Sequence, residues 1–360
     1  VSFDATALDP MGVTSVLGRP GAVYASADAL YVASRHASGE SGLYFPEADS
    51  YGMVTTVHKF ALDAELPAAT YQATGVAEGG ILNQFSLDEF DGRLRIATTS
   101  GHVPDPSVHS TLSVMEQTGG DLVVVGQLDD IAPTEDIRAV RFDGPRGFIV
   151  TFKKTDPLFA LDLADPRNPR IAGELHIPGF STYMHLMDAT HLLTIGYDAD
   201  DMGSFAWFDG IQLQVFDVSD LTSPTLLHRE IIGTRGSTSD AATDHLAFNF
   251  FPPRDALALP MIICEGGGDG TYGWGMSFNG LLVYRVTVAE GFNLLGRISH
   301  GGSGSAYDAY GCGSWWTDSN SQVKRSIFMD DYVFSIDPER IKIDLLDSLG
   351  AGLAEVDLTD

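Results

Sequence analysis

The feature that most constrains this chain is a strand pattern that returns six times. Asp28-Ala-Leu-Tyr-Val-Ala-Ser, Gly92-Arg-Leu-Arg-Ile-Ala-Thr, Gly147-Phe-Ile-Val-Thr-Phe, His191-Leu-Leu-Thr-Ile-Gly, Asp255-Ala-Leu-Ala-Leu-Pro and Asp331-Tyr-Val-Phe-Ser-Ile each read as a strand after a short turn. Each has one short strand before it and two after it, so the unit is four strands. The second strands begin 64, 55, 44, 64 and 76 residues apart. The shortest spacing matches the roughly 40–45 residues of one propeller blade, and the longer ones fit a blade with loop insertions. No segment keeps apolar residues at i, i+3, i+4 and i+7 over helical length. Thirty-nine Gly and 17 Pro suit short strands and tight turns. The pattern therefore predicts an all-β fold, a β-propeller of four-stranded antiparallel blades over residues 1–360. The bland alternative is a β-sandwich with irregular loops, but sandwiches do not repeat four strands in phase.

Residues 1–18 carry two more strand-like segments, 1–8 and 13–17, which read as half of a partial or closing blade. The expected count is thus six or seven blades. The chain opens at Val1 without Met, so its start reads as a processed or truncated edge, with any targeting segment outside the sequence.

The stretch Phe152-Lys-Lys-Thr-Asp-Pro-Leu-Phe-Ala-Leu-Asp-Leu-Ala-Asp-Pro-Arg-Asn-Pro, followed by Gly173-Glu-Leu-His-Ile-Pro-Gly-Phe-Ser-Thr-Tyr-Met-His, resembles a known family. It is that of secreted bacterial and archaeal proteins with a C-terminal β-propeller distantly related to WD repeats. Leu82-Asn-Gln-Phe-Ser-Leu-Asp-Glu-Phe-Asp-Gly, Arg95-Ile-Ala-Thr-Thr and Thr55-Thr-Val-His-Lys-Phe fit the same family. The resemblance covers most of residues 1–358. It implies the propeller fold and export, and it implies no activity.

Charge narrows the partners. Twenty-one Lys+Arg against 49 Asp+Glu give a net charge of −28. Such a chain is repelled by phosphate backbones and anionic lipid, which argues against a nucleic-acid partner. No apolar run reaches the ~20 residues of a transmembrane segment. Cys264 and Cys312 are the two cysteines. An even pair without CxxC spacing suits one disulfide in an extracellular or cell-envelope protein better than a zinc site; two free thiols are the alternative.

Antiparallel alternation places second-to-third-strand loops and blade-to-blade connections on one face. The long insertions 34–53, 101–109, 198–210, 233–244, 264–279 and 301–322 all fall there, and they hold Trp207, Trp274, Trp315, Trp316 and both cysteines. Trp is costly to expose, so the loops are expected to pack into a shaped cap over the channel mouth. The plainer reading is that the aromatic rings only hold the loops together.

First strands should line the channel with Gln84, Arg138, Arg141, His185, Asp244, His245 and Arg325. Of these, Arg141, His185, Asp244, His245 and Arg325, together with Trp207, Trp274, Trp315 and Trp316 of the cap, are the candidate ligand-binding set. Arg beside Asp suits a carboxylate or a sugar, whereas buried ion pairs are the structural alternative. Asp198, Asp200, Asp201 and Asp209 gather hard oxygen ligands suited to calcium, without EF-hand spacing; a solvated acidic loop is the alternative. Gly266-Gly-Gly-Asp-Gly and Gly301-Gly-Ser-Gly-Ser lack the helix and the Gly-Lys-Ser/Thr ending of a phosphate loop. No catalytic signature is evident.

The leading expectation is an exported binding module with a protein, peptide or glycan partner, with calcium as a candidate stabilising ion. The alternatives are a propeller hydrolase or lyase acting on a polymer at the channel mouth, and a structural cell-surface component.

Overall fold

The computed structural model describes residues 15, 21–37, 52–62, 69–103, 105–152, 156–201, 206–301, 312–313, 319 and 321–359. They gather into two compact units, Val1–Lys153 with Leu158–Glu174 and Lys154–Pro157 with Leu175–Asp360. Apart from Ser15, the strands expected within 1–18 lie outside the described residues, as do 38–51 of the first insertion.

The first unit carries three repeats. Ala22–Ala25, Ala29–Ala37, Met53–Ala61 and Thr70–Glu78 form an antiparallel meander. The second repeat runs through Leu87–Phe90, Arg93–Ser100, His109–Thr118 and Asp121–Ile131. One parallel pairing, Thr74 with Asp121, joins its last strand to the last strand of the first repeat, so the two form a single sheet. The third repeat is a separate four-stranded sheet that begins at Asp136.

Gln84 departs from the expected strand. It lies in a 3-10 turn, Gln84–Ser86, because the Asn83 side chain accepts from the Phe85 N–H and offers the backbone a local alternative to the ladder.

In the second unit three four-stranded sheets follow in chain order. They are Phe180–Leu186 to Thr225–Ile232, Asn249–Phe251 to Gly291–Ser299, and Arg325–Met329 to Ala354–Asp357. The second strands of the inner repeats, such as Arg146–Phe152 and Ala256–Glu265, read as nearly unbroken apolar runs because both faces are covered there, whereas Tyr332–Ile336 alternates. Ala256–Cys264 is buried at every position. Ile149 packs with Ala97, Leu112 and Leu161 in the first unit, and Ala258 with Leu281, Val323 and Val333 in the second.

The corners follow the turn chemistry of the sequence. Asp162 and Asp165 each accept from a backbone N–H two residues on, and Asp217 and Asp220 repeat the arrangement one unit later. These bonds hold the Asp162, Asp217 and Asp220 carboxyls below their ordinary range, through the backbone first at Asp162 and through the Ser219 and Thr222 hydroxyls first at the other two.

Candidate functional site

Four of the expected insertions meet in the second unit. The segment 198–210 differs from the loop expected of it. His191–Asp201 and Ala206–Asp217 continue as a hairpin with Asp200 opposite Trp207 and Asp201 opposite Ala206, so the inserted residues extend the sheet.

The connection 233–244 runs beside the strand Ala256–Glu265. The first strand of that sheet, Asn249–Phe251, pairs only with Ala256–Ala258. Beyond it, hydroxyl side chains do the stitching. Ser239 Oγ donates to the Pro260 carbonyl, the Cys264 N–H donates to Ser237 Oγ, and Thr234 Oγ1 donates to the Cys264 carbonyl. Thr238 and Ile262 form a bridge between these bonds. Pro260 is tolerated mid-strand because its missing N–H faces this irregular partner.

The stitched segment holds Arg235 in place. Its guanidinium carbon lies 4.8 Å from the Trp207 ring centroid and 4.5 Å from that of Tyr272, so aromatic faces enclose the cation. Arg235 is 8% exposed, and its Nε and Nη1 are buried with no hydrogen-bond partner among the described residues. Glycines make room for the rings. A Cβ on Gly270 (φ +77°) would come 2.4 Å from the Trp207 ring, and one on Gly266 (φ +78°) would come 2.0 Å from the Trp274 indole nitrogen. Trp274 itself is 83% exposed. The Cys264–Cys312 disulfide, with a Cα–Cα distance of 5.8 Å, ties the 264–279 insertion to the next connection. Both sulfurs sit in a small apolar cluster with Ile262 and Met276.

Other expected residues divide into two groups. Asp198 accepts from Arg229. Burial pushes its carboxyl up, Arg229 opposes this, and the charges of Asp200 and Asp209 push it further up. One carboxylate oxygen of Asp209 is buried without a partner among the described residues. Among the described residues, no group of three or more His, Cys, Asp or Glu is arranged to hold a metal ion; the Asp201 side chain lies outside them.

His185, Asp244, His245 and Arg325 converge in the same unit. Arg325 donates to Asp244 at 2.6 Å. Tyr183 packs near both imidazoles, with centroids 6.5 Å from His185 and 6.4 Å from His245, and Phe248 lies 5.6 Å from His185. Asp244 and His245 are not on a first strand. Asp244 caps the 3-10 turn His245–Ala247 by accepting from the Leu246 N–H. Arg141 belongs to the other unit, where its guanidinium lies over Phe85 at 5.3 Å. Arg138 is paired with Asp136 at 3.0 Å. Trp315 and Trp316 lie outside the described residues.

Three constellations escape a reading of the sequence. Arg235 with Tyr272 is one, because its members come from different loops. Asp240 is the second; it accepts from Ser319, Ser321 and Lys324 and ties two connections together. The third is a relay. His300 Nδ1 lies 2.7 Å from Asp337, and its Nε2 lies 2.6 Å from Ser335 Oγ. The order matches a hydrolytic triad, yet Ser335 is 0% exposed and offers its hydroxyl no open side for a substrate. The relay anchors the connection at His300 to the last sheet. Burial lowers the His300 pKa, outweighing the neighbouring Asp337. Burial pushes Asp337 up, but bonds from His300 and from the Glu339 and Arg340 N–H groups hold it below its ordinary range.

Two grooves of about 540 and 350 Å³ open on the last sheet, but their cations are already engaged. Lys342 donates to the Ser299 carbonyl, and Arg340 pairs with Asp337 and Glu355. No described helix is long and apolar enough to cross a membrane.

Comparison with known proteins gives relatives of the same kind. An uncharacterized protein of Archaeoglobus fulgidus is 33% identical over 289 residues, covering 80% of this chain and 36% of that protein. An uncharacterized protein of Methanocaldococcus jannaschii is 40% identical over 152 residues, covering 42% of this chain and 23% of that one. The chain thus spans about a third or less of the curated relatives it matches. Among solved structures, apo AztD from Citrobacter koseri is similar at 10% identity, covering 97% of this chain and 75% of that chain with a TM-score of 0.47. A WD40 domain of Neurospora crassa is similar at 7% identity, covering 91% and 76% with a TM-score of 0.44. The family model described as a beta propeller domain matches residues 1–349. On that match, and with four-stranded antiparallel sheets in both units, the chain belongs to the beta propeller domain family.

Proposed function

We propose that this chain is an exported interaction module that binds a protein or peptide partner through the aromatic surface built by 198–210, 233–244 and 264–279. The observation that carries the reading is Trp274, a large indole left 83% exposed, with its ring lying where a Cβ at Gly266 would fall. Exposed Trp beside an enclosed Arg is the side-chain chemistry of interaction hot spots. The disulfide supports export, because such bonds persist in oxidising compartments. The net charge favours neutral or cationic partners over polyanions.

The test is a screen of the immobilised protein against a displayed peptide library and a glycan array, with Trp274→Ala in parallel. Peptides enriched on the wild type and lost from the variant are the expected result. Binding to glycans alone, or peptide binding indifferent to Trp274, would overturn the reading.

Calcium at Asp198, Asp200 and Asp209 is the second reading, favoured by the buried, unpartnered Asp209 oxygen. It predicts that EDTA lowers the melting temperature of the wild type and not of Asp209→Asn. An unchanged wild-type transition would count against it.

A further inference from the structure

Several cations of the protein meet carboxylates or carbonyls, whereas Arg235 meets neither among the described residues. Arg325 meets Asp244, Arg229 meets Asp198, Arg138 meets Asp136 and Lys342 meets the Ser299 carbonyl. Arg235 is more than nine-tenths buried, and two of its nitrogens lack acceptors. Glu265, on the adjoining strand, accepts from Ser277 instead. Burying a guanidinium without acceptors is costly, and ring faces answer that cost only along the normal to its plane. Trp207 and Tyr272 lie against the guanidinium, but aromatic rings offer its N–H groups no in-plane acceptor. A guanidinium carries its N–H donors in a fixed fork, the geometry a carboxylate matches.

We propose that the edge of Arg235 receives the C-terminal carboxylate of a peptide or protein ligand, with the ligand's last side chains lying on Trp274. This rests on the reading of the surface given above. A chain end is favoured over an acidic polysaccharide because the net charge of −28 repels a polyanion but tolerates one isolated carboxylate. Tyr272 and Trp274 lie on one short stretch of loop, which places the anion site and the apolar platform beside each other. The Gly273 N–H donates to the Arg235 carbonyl at 2.8 Å and fixes that stretch to the stitched segment.

The experiment compares random tetrapeptides ending in a free carboxylate with the same set ending in an amide, on wild type, Arg235→Gln, Arg235→Lys and Trp274→Ala. An array of uronic-acid oligosaccharides is run beside them. Free acids should be enriched on the wild type and lose at least tenfold in affinity on amidation. Arg235→Gln should remove that preference, and Arg235→Lys should restore part of it. Thermal unfolding reports whether each variant folds; the amide comparison needs only the wild type and decides the matter if Arg235→Gln does not fold. Equal binding of acids and amides would overturn the proposal, as would no enrichment at all or binding of uronates in place of peptides. If binding needs Trp274 but neither the carboxylate nor Arg235, the surface reading stands and this one falls.

Discussion

At the scale of single residues, the buried His300 relay makes a sharp prediction. Neutral His300 donates from Nδ1 to Asp337 and accepts at Nε2 from Ser335. Its folded pKa lies below the ordinary value of 6.5, so protons bind the unfolded chain preferentially. Stability should therefore fall as pH drops below about 6.5. Asp337 is also lowered, so its contribution is present above the ordinary carboxylate range and is lost as pH falls through that range. His300→Ala should cost about 1–3 kcal/mol at pH 7.5 and flatten the pH dependence below the ordinary imidazole value, as read by urea unfolding. An unchanged slope would show that another group sets it. This relay was not legible in the sequence, since His300 and Ser335 are 35 residues apart and nothing local links them. Asp244 and His245 were legible as a candidate pair but not as a capped turn, because capping competes with the strand only through geometry at Leu246.

Elements were the most readable level. Second strands such as Ala256–Glu265 announce themselves because burial on both faces forces apolar runs, and the Asp-bearing corners because Asp bonds its own turn. What failed was the fate of 198–210. Hairpin extension and loop have the same polar composition there, and the register that pairs Asp200 with Trp207 is set by the sheet below it. The disulfide was expected from the even cysteine pair, and its position now gives it a task. It holds 264–279 to the connection at Cys312, 48 residues away in sequence. On the loop-entropy model, closing a loop of that length contributes about 4 kcal/mol. Reduction, or Cys312→Ser, should lower the unfolding transition and raise hydrogen exchange in Gly266–Met276 while sparing Arg146–Phe152 in the other unit. Equal exchange before and after reduction would mean that the stitching by Ser237 and Ser239 suffices alone.

For the molecule as a whole, the net charge of −28 has become a distribution. Part of it sits in the corners at Asp162, Asp217 and Asp220, whose carboxyls lie below their ordinary range. Of the 21 basic residues 16 are Arg, and several of these are committed to ion pairs, which sets Arg235 apart. The repeat was legible because it recurs in phase, and the insertions that build the proposed surface were legible as one face; the packing of Arg235 against Trp207 and Tyr272 was not, because these residues come from three separate segments. The most direct check on the central claim is hydrogen exchange of the wild-type protein with and without a peptide selected in the screen. Protection should concentrate in Thr234–Ser239 and Gly266–Met276. Protection confined to outer strands such as Ala354–Asp357, with those two segments unchanged, would contradict the account.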